Sequence, residues 1–411
     1  MGYLKTIIFI NTNKSGSSRD AIHSAEQLGY FTVVFTNNEK QLRQREEYTN
    51  VHEMISVDTT SITDMRNVID ALKSRGMDIK IIISFIDSNV HIASILCDEF
   101  CRNIASSKAI EIMENKEKTR TFFQNQQYTP KFHIIQAGQK PSFKKIRSEL
   151  VFPVIAKSPK STGSKDVLFA TGKKQLKKQI AKLRKRDPNE TIIIEEYIVG
   201  DQYLVEAIVS DSAVQIAAII KQEITHDKRF IITGYGVLLE IPTELKVGLE
   251  EVLHSVTSQL GIQYGSLHLE LRLSTKGWKL IEVNPRISGG AMNKMIQAAF
   301  GYNLVEETLK LYLGDTPSIQ NKYEKDVFTQ YIVVSKKGVL EKVTGKGRAL
   351  KSPGVLEVFV KTKKGTNLTP PLSMGHRYAY VIATGDSMEE AQLNAKNGAN
   401  EIIFHIKDEE E

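Results

Sequence analysis

Cysteine is nearly absent: of 411 residues, only Cys97 and Cys101 carry a thiol. That excludes a disulfide scaffold and fits a reducing compartment, so a cytoplasmic protein is expected. No apolar run approaches the ~18–20 residues that cross a bilayer as a helix, so no membrane association is expected. Met1–Ile10 has neither a long apolar core nor a small-residue cleavage site, so no secretory leader is expected. The chain also lacks the glycine fingerprint of dinucleotide folds. After the first apolar stretch, Asn11–Ser18 is polar and contains a single glycine, Gly16. Tryptophan occurs once, at Trp278 beside a predicted hairpin turn, where packing accounts for it. A basic excess spread along the chain is missing too. The formal charge is +7, yet residues 173–186 (KKQLKKQIAKLRKR) hold eight Lys/Arg and no acid, and the other 47 bases meet 48 acids. Within that stretch Leu176, Ile180 and Leu183 recur at helical spacing, which predicts a helix with one buried stripe and a solvated basic face. A nucleic-acid or acidic-lipid surface is the competing reading of that face.

What is present suffices for a large core. Hydrophobic residues make up 41% and charged residues 25%, both near globular averages. The length suggests two to four domains. The first ~110 residues alternate predicted strands (Leu4–Ile10, Phe31–Phe35, Met54–Val57, Ile79–Ser84) with helices (Asp20–Gly29, Ile62–Gly76 and one running to Arg102). This βαβα series predicts a parallel, doubly wound sheet. Cys97 and Cys101 lie four apart on the last helix and read as packing thiols, because only His91 is near enough to help hold a metal. Beyond residue 112 the pattern changes to α+β. A charged helix is predicted over Glu111–Gln127, with strands at Pro130–Ile135, Val154–Lys157, Thr191–Tyr197, Leu204–Val209 and Val214–Lys221. Ser266–Leu273 and Trp278–Val283 form a hairpin around Lys276-Gly277, Gly290–Leu313 is helical, and short strands follow from Val327 before a final helix from Ser387. The acidic tail Asp408–Glu411 is expected to fray.

The chemistry concentrates in LHLELRLSTKGWKLIEVNPRISGG, residues 267–290. Strand alternation points Glu282 and Asn284 to one face, and His268 and Glu270 to one face of the partner strand. In a hairpin, Glu270 lies opposite or diagonal to Glu282, so three oxygen ligands converge. Mg²⁺ favours one or two carboxylates plus substrate phosphates. Arg286 adds a planar donor for carboxylate or phosphate. Gly289-Gly290 then opens the next helix, where free N–H groups and the dipole favour an anion. Together these groups suit phosphoryl transfer.

At these residues the sequence resembles the ATP-grasp ligases, whose signature is two acids twelve apart, the second followed by x-Asn-x-Arg. Here Glu270 and Glu282 have that spacing and Glu282-Val283-Asn284-Pro285-Arg286 completes the pattern. The resemblance extends over nearly the whole chain. It implies an N-terminal α/β domain over 1–112, a central lid over 113–190, and a C-terminal domain over 191–411 that includes a 320–411 subdomain. ATP and two Mg²⁺ ions (Mn²⁺ as an alternative) would lie between the last two domains, with Glu270, Glu282 and Asn284 holding the metal. By the same resemblance, Lys116 touches phosphate and Lys157, in the Phe152–Lys157 strand, bridges the α- and β-phosphates. Ser161-Thr162-Gly163-Ser164 covers the phosphates, so Ser161 and Gly163 are contacts. Ile194-Glu195-Glu196-Tyr197-Ile198 is the hinge, with Glu195 accepting from the adenine amino group and the Tyr197–Ile198 backbone reading its edge. Gln202 stands where relatives carry a ribose-binding Glu. Lys221 ends a strand within reach of the γ-phosphate.

Asp227–Pro242 resembles the segment that follows the large strand in the amino-acid ligase and related carboxylate–amine ligase branch, and the tail from Val327 to Ile406 resembles the C-terminal subdomain of bacterial L-amino acid ligases, an arginine-accepting type among them, with parts shared by the biotin carboxylase and purine carboxylase branches. The implied substrates are free L-amino acids, joined through an acyl phosphate, and the implied assembly is a homodimer. Arg286 and the N–H groups of Gly289 and Gly290 would stabilise the oxyanion. A cationic substrate would need acids, for which Glu206, Glu223 and Glu240 are candidates. His268 shares the ligand face and His226 lies in a charged loop. His376 and Arg377 sit in the tail, where an arginine could meet substrate. The competing readings are a ligase for another carboxylate with an amine or thiol, a non-catalytic ATP-binding protein, and a nucleic-acid binder using the 173–186 helix.

Overall fold

Apolar and β-branched residues fill both faces of the first strand, as a sheet covered on both sides requires. Ile7, Ile8, Phe9 and Ile10 are all buried. The computed structural model describes residues 3–101, 105–159, 166–226 and 230–407. Its first part runs β1 (Leu4–Ile10), α1 (Ser17–Gln27), β2 (Phe31–Thr36), α2 (Glu39–Arg43), β3 (Glu53–Ser56), α3 (Ile62–Ser74), β4 (Met77–Ile83) and α4 (Val90–Phe100). The strands form the expected parallel sheet, in the order β3–β2–β1–β4. Cys97 is buried and Cys101 closes α4; both thiols are free.

The helix expected over Glu111–Gln127 is two helices, α5 (Ser107–Met113) and α6 (Lys116–Phe122). Asn115 causes the break. Its side-chain oxygen accepts from the Glu117 and Lys118 N–H groups at 2.9 and 3.2 Å, and such a cap starts a helix. Lys116 is thereby placed at the first helical position.

Next come β5 (Phe132–Ile135), α7 (Phe143–Glu149), β6 (Val154–Lys157), β7 (Val167–Ala170), α8 (Lys173–Arg186) and β8 (Ile192–Glu196). The strands pair antiparallel as β5–β8–β6–β7. Helices α7 and α8 cover one face of this sheet. The Leu176, Ile180 and Leu183 stripe of α8 packs on Val154, Ala156, Ile192 and Ile194, while most of its lysines are exposed.

The remainder holds β9 (Asp201–Ser210), β10 (Ala213–His226), β11 (Phe230–Leu238), α9 (Thr243–Gln259), β12 (Gly265–Ser274), β13 (Gly277–Asn284), α10 (Met292–Phe300), α11 (Leu304–Leu313) and β14 (Asp326–Ile332). It continues with β15 (Gly338–Thr344), α12 (Lys346–Ala349), β16 (Val355–Val360), β17 (Asn367–Leu368), β18 (Ala379–Gly385), α13 (Met388–Asn400) and β19 (Ile403–Lys407). An eight-stranded sheet runs β13–β12–β9–β10–β11–β14–β18–β16, and a small one runs β17–β15–β19. Every pairing in the large sheet is antiparallel.

Alternation gives the large sheet two distinct faces. Tyr203, Val205, Leu267, Leu269 and Leu271 pack beneath α9 through Leu249, Val252, Leu253 and Val256, and their neighbours in the strands face the other way. The helical run expected over Gly290–Leu313 breaks at Gly301, which is left-handed (φ 82°), and restarts where Asn303 caps α11. Helix α10 starts at Met292, so Gly289 and Gly290 lie in the loop before it and not in its first turn. The backbone of His226 ends β10; it is not in a loop.

Candidate active site

Residues directly opposite in an antiparallel pair share a face. Glu270 pairs with Glu282 and His268 with Asn284 in the β12–β13 hairpin, so all four side chains emerge together. A bulge at Ile281 interrupts the ladder beside Glu282, as bulges often do next to sites. The freed Ile281 carbonyl accepts from Arg120 at 2.7 Å. The four side chains line a cavity of about 350 Å³ with walls from both the β5–β8 sheet and the large sheet.

The donor set suits a hard cation. Burial and the facing Glu282 charge push Glu270 up. Burial also raises Glu282, but Lys116 and Lys157 outweigh it and hold that carboxyl below its ordinary value. Lys116 Nζ lies 3.2 Å from Glu282, and Gln202 donates to Glu270 at 3.2 Å. Among the described residues, no group of three or more His, Cys, Asp or Glu could hold a metal. Two carboxylates and the Asn284 amide fit Mg²⁺ that takes its other ligands from phosphate oxygens and water.

Behind the acids, fully buried Glu206 joins two pieces. It accepts from His268 Nδ1 at 2.7 Å and from the Ser288 N–H at 3.0 Å. Burial lowers the His268 pKa, but Glu206 outweighs it and the net direction is up. Loop 287–290 is held from the other side as well. Ser17 donates to the Ser288 carbonyl, as does Asn293 at 3.1 Å. Gly290 is left-handed, and a Cβ on Gly16 would sit 3.1 Å from its nitrogen, so glycine permits this backbone approach. Arg286 reaches the cavity, paired with Asp87 and donating to the Ile287 carbonyl at 2.8 Å.

At the other end, Glu195 is clamped by two cations: Arg120 Nε at 2.7 Å and Lys157 Nζ at 2.7 Å. Burial pulls Glu195 up, yet the two cations hold it down to about 2. Burial pushes Lys157 down to about 8 despite Glu195. Both Glu195 oxygens are therefore taken, and the expected adenine contact meets a carboxylate already committed to Arg120 and Lys157. The expected adenine-reading edge is also engaged: the Tyr197 N–H donates to Pro153 O at 3.1 Å, and the Ile198 carbonyl accepts from Arg272 at 2.7 Å. Arg272 lies over the Tyr197 ring and donates to Gln202 at 2.9 Å. Glu196 lines the cavity and accepts from the Lys131 N–H at 2.8 Å.

Lys221 is not brought to the site. It pairs with Asp201 at 2.6 Å on the opposite face, because its neighbour Gln222 takes the cavity side. Glu223 pairs with Lys396 at 2.8 Å away from the cavity, and Glu240 is exposed, so these two build no acidic pocket. Ser161 and Gly163 lie outside the described residues. Arg377 does line the cavity, together with Tyr235, Tyr331, Met292 and Met374, which had not been singled out. Alternation along strands far apart in sequence was the only sequence signal for Tyr235 and Tyr331, and Met292 and Met374, which lie outside the strands, had none.

Glu114, between α5 and α6, accepts from the His91 N–H at 3.0 Å. Burial, and secondarily Asp87, push it up to about 7. The folded chain therefore keeps this proton at a pH where the unfolded chain has lost it. The group's contribution to stability declines as pH rises from the ordinary value of 4.5 to about 7. Glu114→Gln should remove about 1 kcal/mol of that decline after allowance for solvent screening. Urea unfolding of both proteins at pH 5 and pH 8 measures it, and parallel pH dependences would refute it.

Two family matches decide where this fold belongs. Residues 150–294 match the ATP-grasp domain, and residues 330–407 match the L-amino acid ligase C-terminal domain 2. The chain carries an ATP-grasp domain. Other comparisons give this ATP-grasp protein similar company. The structure of an L-amino acid ligase from Bacillus licheniformis superposes with a TM-score of 0.83 at 18% identity, covering 99% of this chain and 100% of that one. The biotin carboxylase domain of the Hydrogenobacter thermophilus 2-oxoglutarate carboxylase, solved with MgADP, has a TM-score of 0.70 at 17% identity, covering 99% and 92%. In sequence, an uncharacterised protein of Sinorhizobium fredii, y4rH, is 23% identical over 266 residues, covering 64% of this chain and 55% of that one. The match thus spans about half the length of that relative. The fold is that of an ATP-binding ligase, and among the described residues no helix is long and apolar enough to cross a membrane.

Proposed function

We propose that this enzyme joins two L-amino acids into a dipeptide at the expense of ATP. The observation that carries the reading is the register pairing of Glu270 with Glu282, on one cavity face with Asn284 and beside Lys116 and Arg286. The 330–407 match supports amino acids as substrates.

ATP lies with its phosphates over β12 and β13. Glu270, Glu282 and Asn284 would hold Mg²⁺, which when bound would screen phosphate charge and polarise the γ-phosphoryl group. Lys116 exchanges part of its Glu282 contact for phosphate oxygen, and Lys157, positioned by Glu195, makes a charge-assisted bond to phosphate. A carboxylate oxygen of the first amino acid attacks the γ-phosphorus, the bond to the β–γ bridging oxygen breaks, and ADP departs with that electron pair. The amine of the second amino acid then attacks the acyl carbon. The carbon–oxygen bond to phosphate breaks, phosphate leaves, and the amine gives up a proton. Arg286, aligned by Asp87, stabilises the tetrahedral oxyanion with the N–H groups of loop 289–290; one such donor is worth ~10²–10³ in rate. The 113–190 segment acts as the lid that keeps water from the acyl phosphate.

Phosphate release from ATP and Mg²⁺ should be tested against the twenty L-amino acids, singly and in pairs, with mass spectrometry of the products. The expected result is release matched by a new dipeptide mass. ADP binding without release from any pair would refute the amino-acid reading. It would favour the second one, a ligase for another carboxylate, to which the likeness to the biotin carboxylase domain lends support.

A further inference from the structure

The cavity is also lined by groups other than the paired acids and the cations around them. Arg377 enters it from the segment before β18. Its guanidinium lies 3.8 Å from the centre of the Tyr331 ring and donates to the Tyr235 hydroxyl at 3.1 Å. Its other hydrogen bonds go to the Met374 and Ile232 carbonyls, at 3.3 and 3.5 Å. Among the described residues no carboxylate lies within ion-pair distance of it. Arg286, by contrast, is neutralised by Asp87. A half-buried cation held by two rings and lacking an acid is prepared for an anion from solution.

A second observation points to the same ligand. Gln222 is directly opposite Tyr235 in the β10–β11 pair, on the cavity face. It is 6% exposed and its Oε1 has no hydrogen-bond partner. A buried acceptor without a donor is costly, and such atoms mark places where a ligand completes the bonding. These groups are also joined to the reacting centre. Tyr331 Oη would lie 3.4 Å from a Cβ on Gly290, in the loop next to Arg286, and Tyr235 feels the charge of Glu270.

We propose that Arg377 and Gln222 form the subsite for the second, amine-bearing amino acid: Arg377 takes its α-carboxylate and the Gln222 carbonyl oxygen accepts from its amino group. This assignment rests on the ligase reading above and adds the orientation of the nucleophile. The first amino acid presents its carboxylate to the γ-phosphate and leaves no free acid behind. The second keeps its carboxylate through the whole reaction, so a receptor for it is needed at some distance from the metal. The Met292 and Met374 side chains, which line the same cavity, supply an adaptable apolar wall for its side chain.

The test compares free amino acids with their α-amides as the second substrate, in the wild type and in Arg377→Gln, Arg377→Lys and Gln222→Leu. The wild type should use the acid with a KM about 10–100-fold below that of the amide, since the charge-assisted pair is lost in the amide. Arg377→Gln should raise the KM of the acid by the same factor, leave that of the amide and of ATP unchanged, and so erase the preference. Arg377→Lys should restore part of it. Gln222→Leu should raise the KM of acid and amide alike. Equal use of acid and amide by the wild type would overturn the subsite while the ligase reading stands. So would an Arg377→Gln protein that loses both substrates equally, since that is what mere packing on Tyr331 predicts. Absence of any peptide product from the wild type would overturn the ligase reading, and the subsite with it.

Discussion

Glu282→Gln is expected to leave a folded protein whose turnover falls by at least ~10²–10³, the cost of removing one preorganised group at a site of developing charge. The substitution keeps the shape of the side chain and removes its charge. Three consequences follow from the geometry. The cation site keeps Glu270 and Asn284 but loses one of its two carboxylates. Lys116, 3.2 Å from Glu282, loses the negative charge at that position. Glu270, which Glu282 pushes up, relaxes towards its ordinary carboxyl value. Loss of a negative charge also weakens the repulsion of ATP, so nucleotide binding without metal should survive or tighten. Steady-state kinetics with ATP and Mg²⁺, a circular dichroism melt and ADP titration with and without Mg²⁺ separate these effects. Wild-type turnover in a folded Glu282→Gln protein would refute the site. Glu270→Gln should behave alike, and the double variant should cost far less than the two single losses combined, because the paired acids act as one unit.

The N-terminal sheet and the hairpin were legible because their signals are local. A strand such as Leu4–Ile10, with apolar and β-branched residues on both faces, permits few alternatives, and its observed bounds agree with the expected ones. The hairpin faces followed from period-two alternation, and the register confirms that Glu270 and Glu282 are opposite. Two kinds of feature were missed. Helix α9 carries Leu249, Val252, Leu253 and Val256 at the spacing of one helix face, a local signal that the sequence does contain although no helix is expected there above. The Arg120–Glu195–Lys157 cluster joins residues up to 75 positions apart, and no local pattern announces such a contact. The same holds for Arg377 over Tyr331. Lys221 fails for a third reason. It was expected at a strand end, where a residue can serve either face, but β10 runs on to His226, and the pairing with Tyr203, whose ring packs with Trp278, places it opposite the cavity.

The largest stability effect is expected from Glu195→Gln. Removing one partner of a buried ion pair leaves an uncompensated charge and costs about 3–5 kcal/mol. Here two cations depend on one carboxylate, Arg120 and Lys157 both at 2.7 Å. Arg120 stays charged and keeps its bond to the Ile281 carbonyl, so the strain falls on Lys157. That amine already sits at about 8 with Glu195 present; without it the value moves lower still. The pH dependence follows with a definite sign. A lysine must be protonated to hold phosphate, so wild-type ATP affinity should fall as pH rises through about 8. In the Glu195→Gln protein the same fall should begin at lower pH. Urea unfolding gives the stability loss, and ATP titration between pH 6 and pH 9 gives the shift. A different result is expected if the carboxylate contacts adenine, the role that family resemblance implies. Glu195→Gln would then alter discrimination between adenine and guanine nucleotides, with little loss of stability and no change in the pH profile. The two roles are separable because one acts through Lys157 on the phosphates and the other on the base.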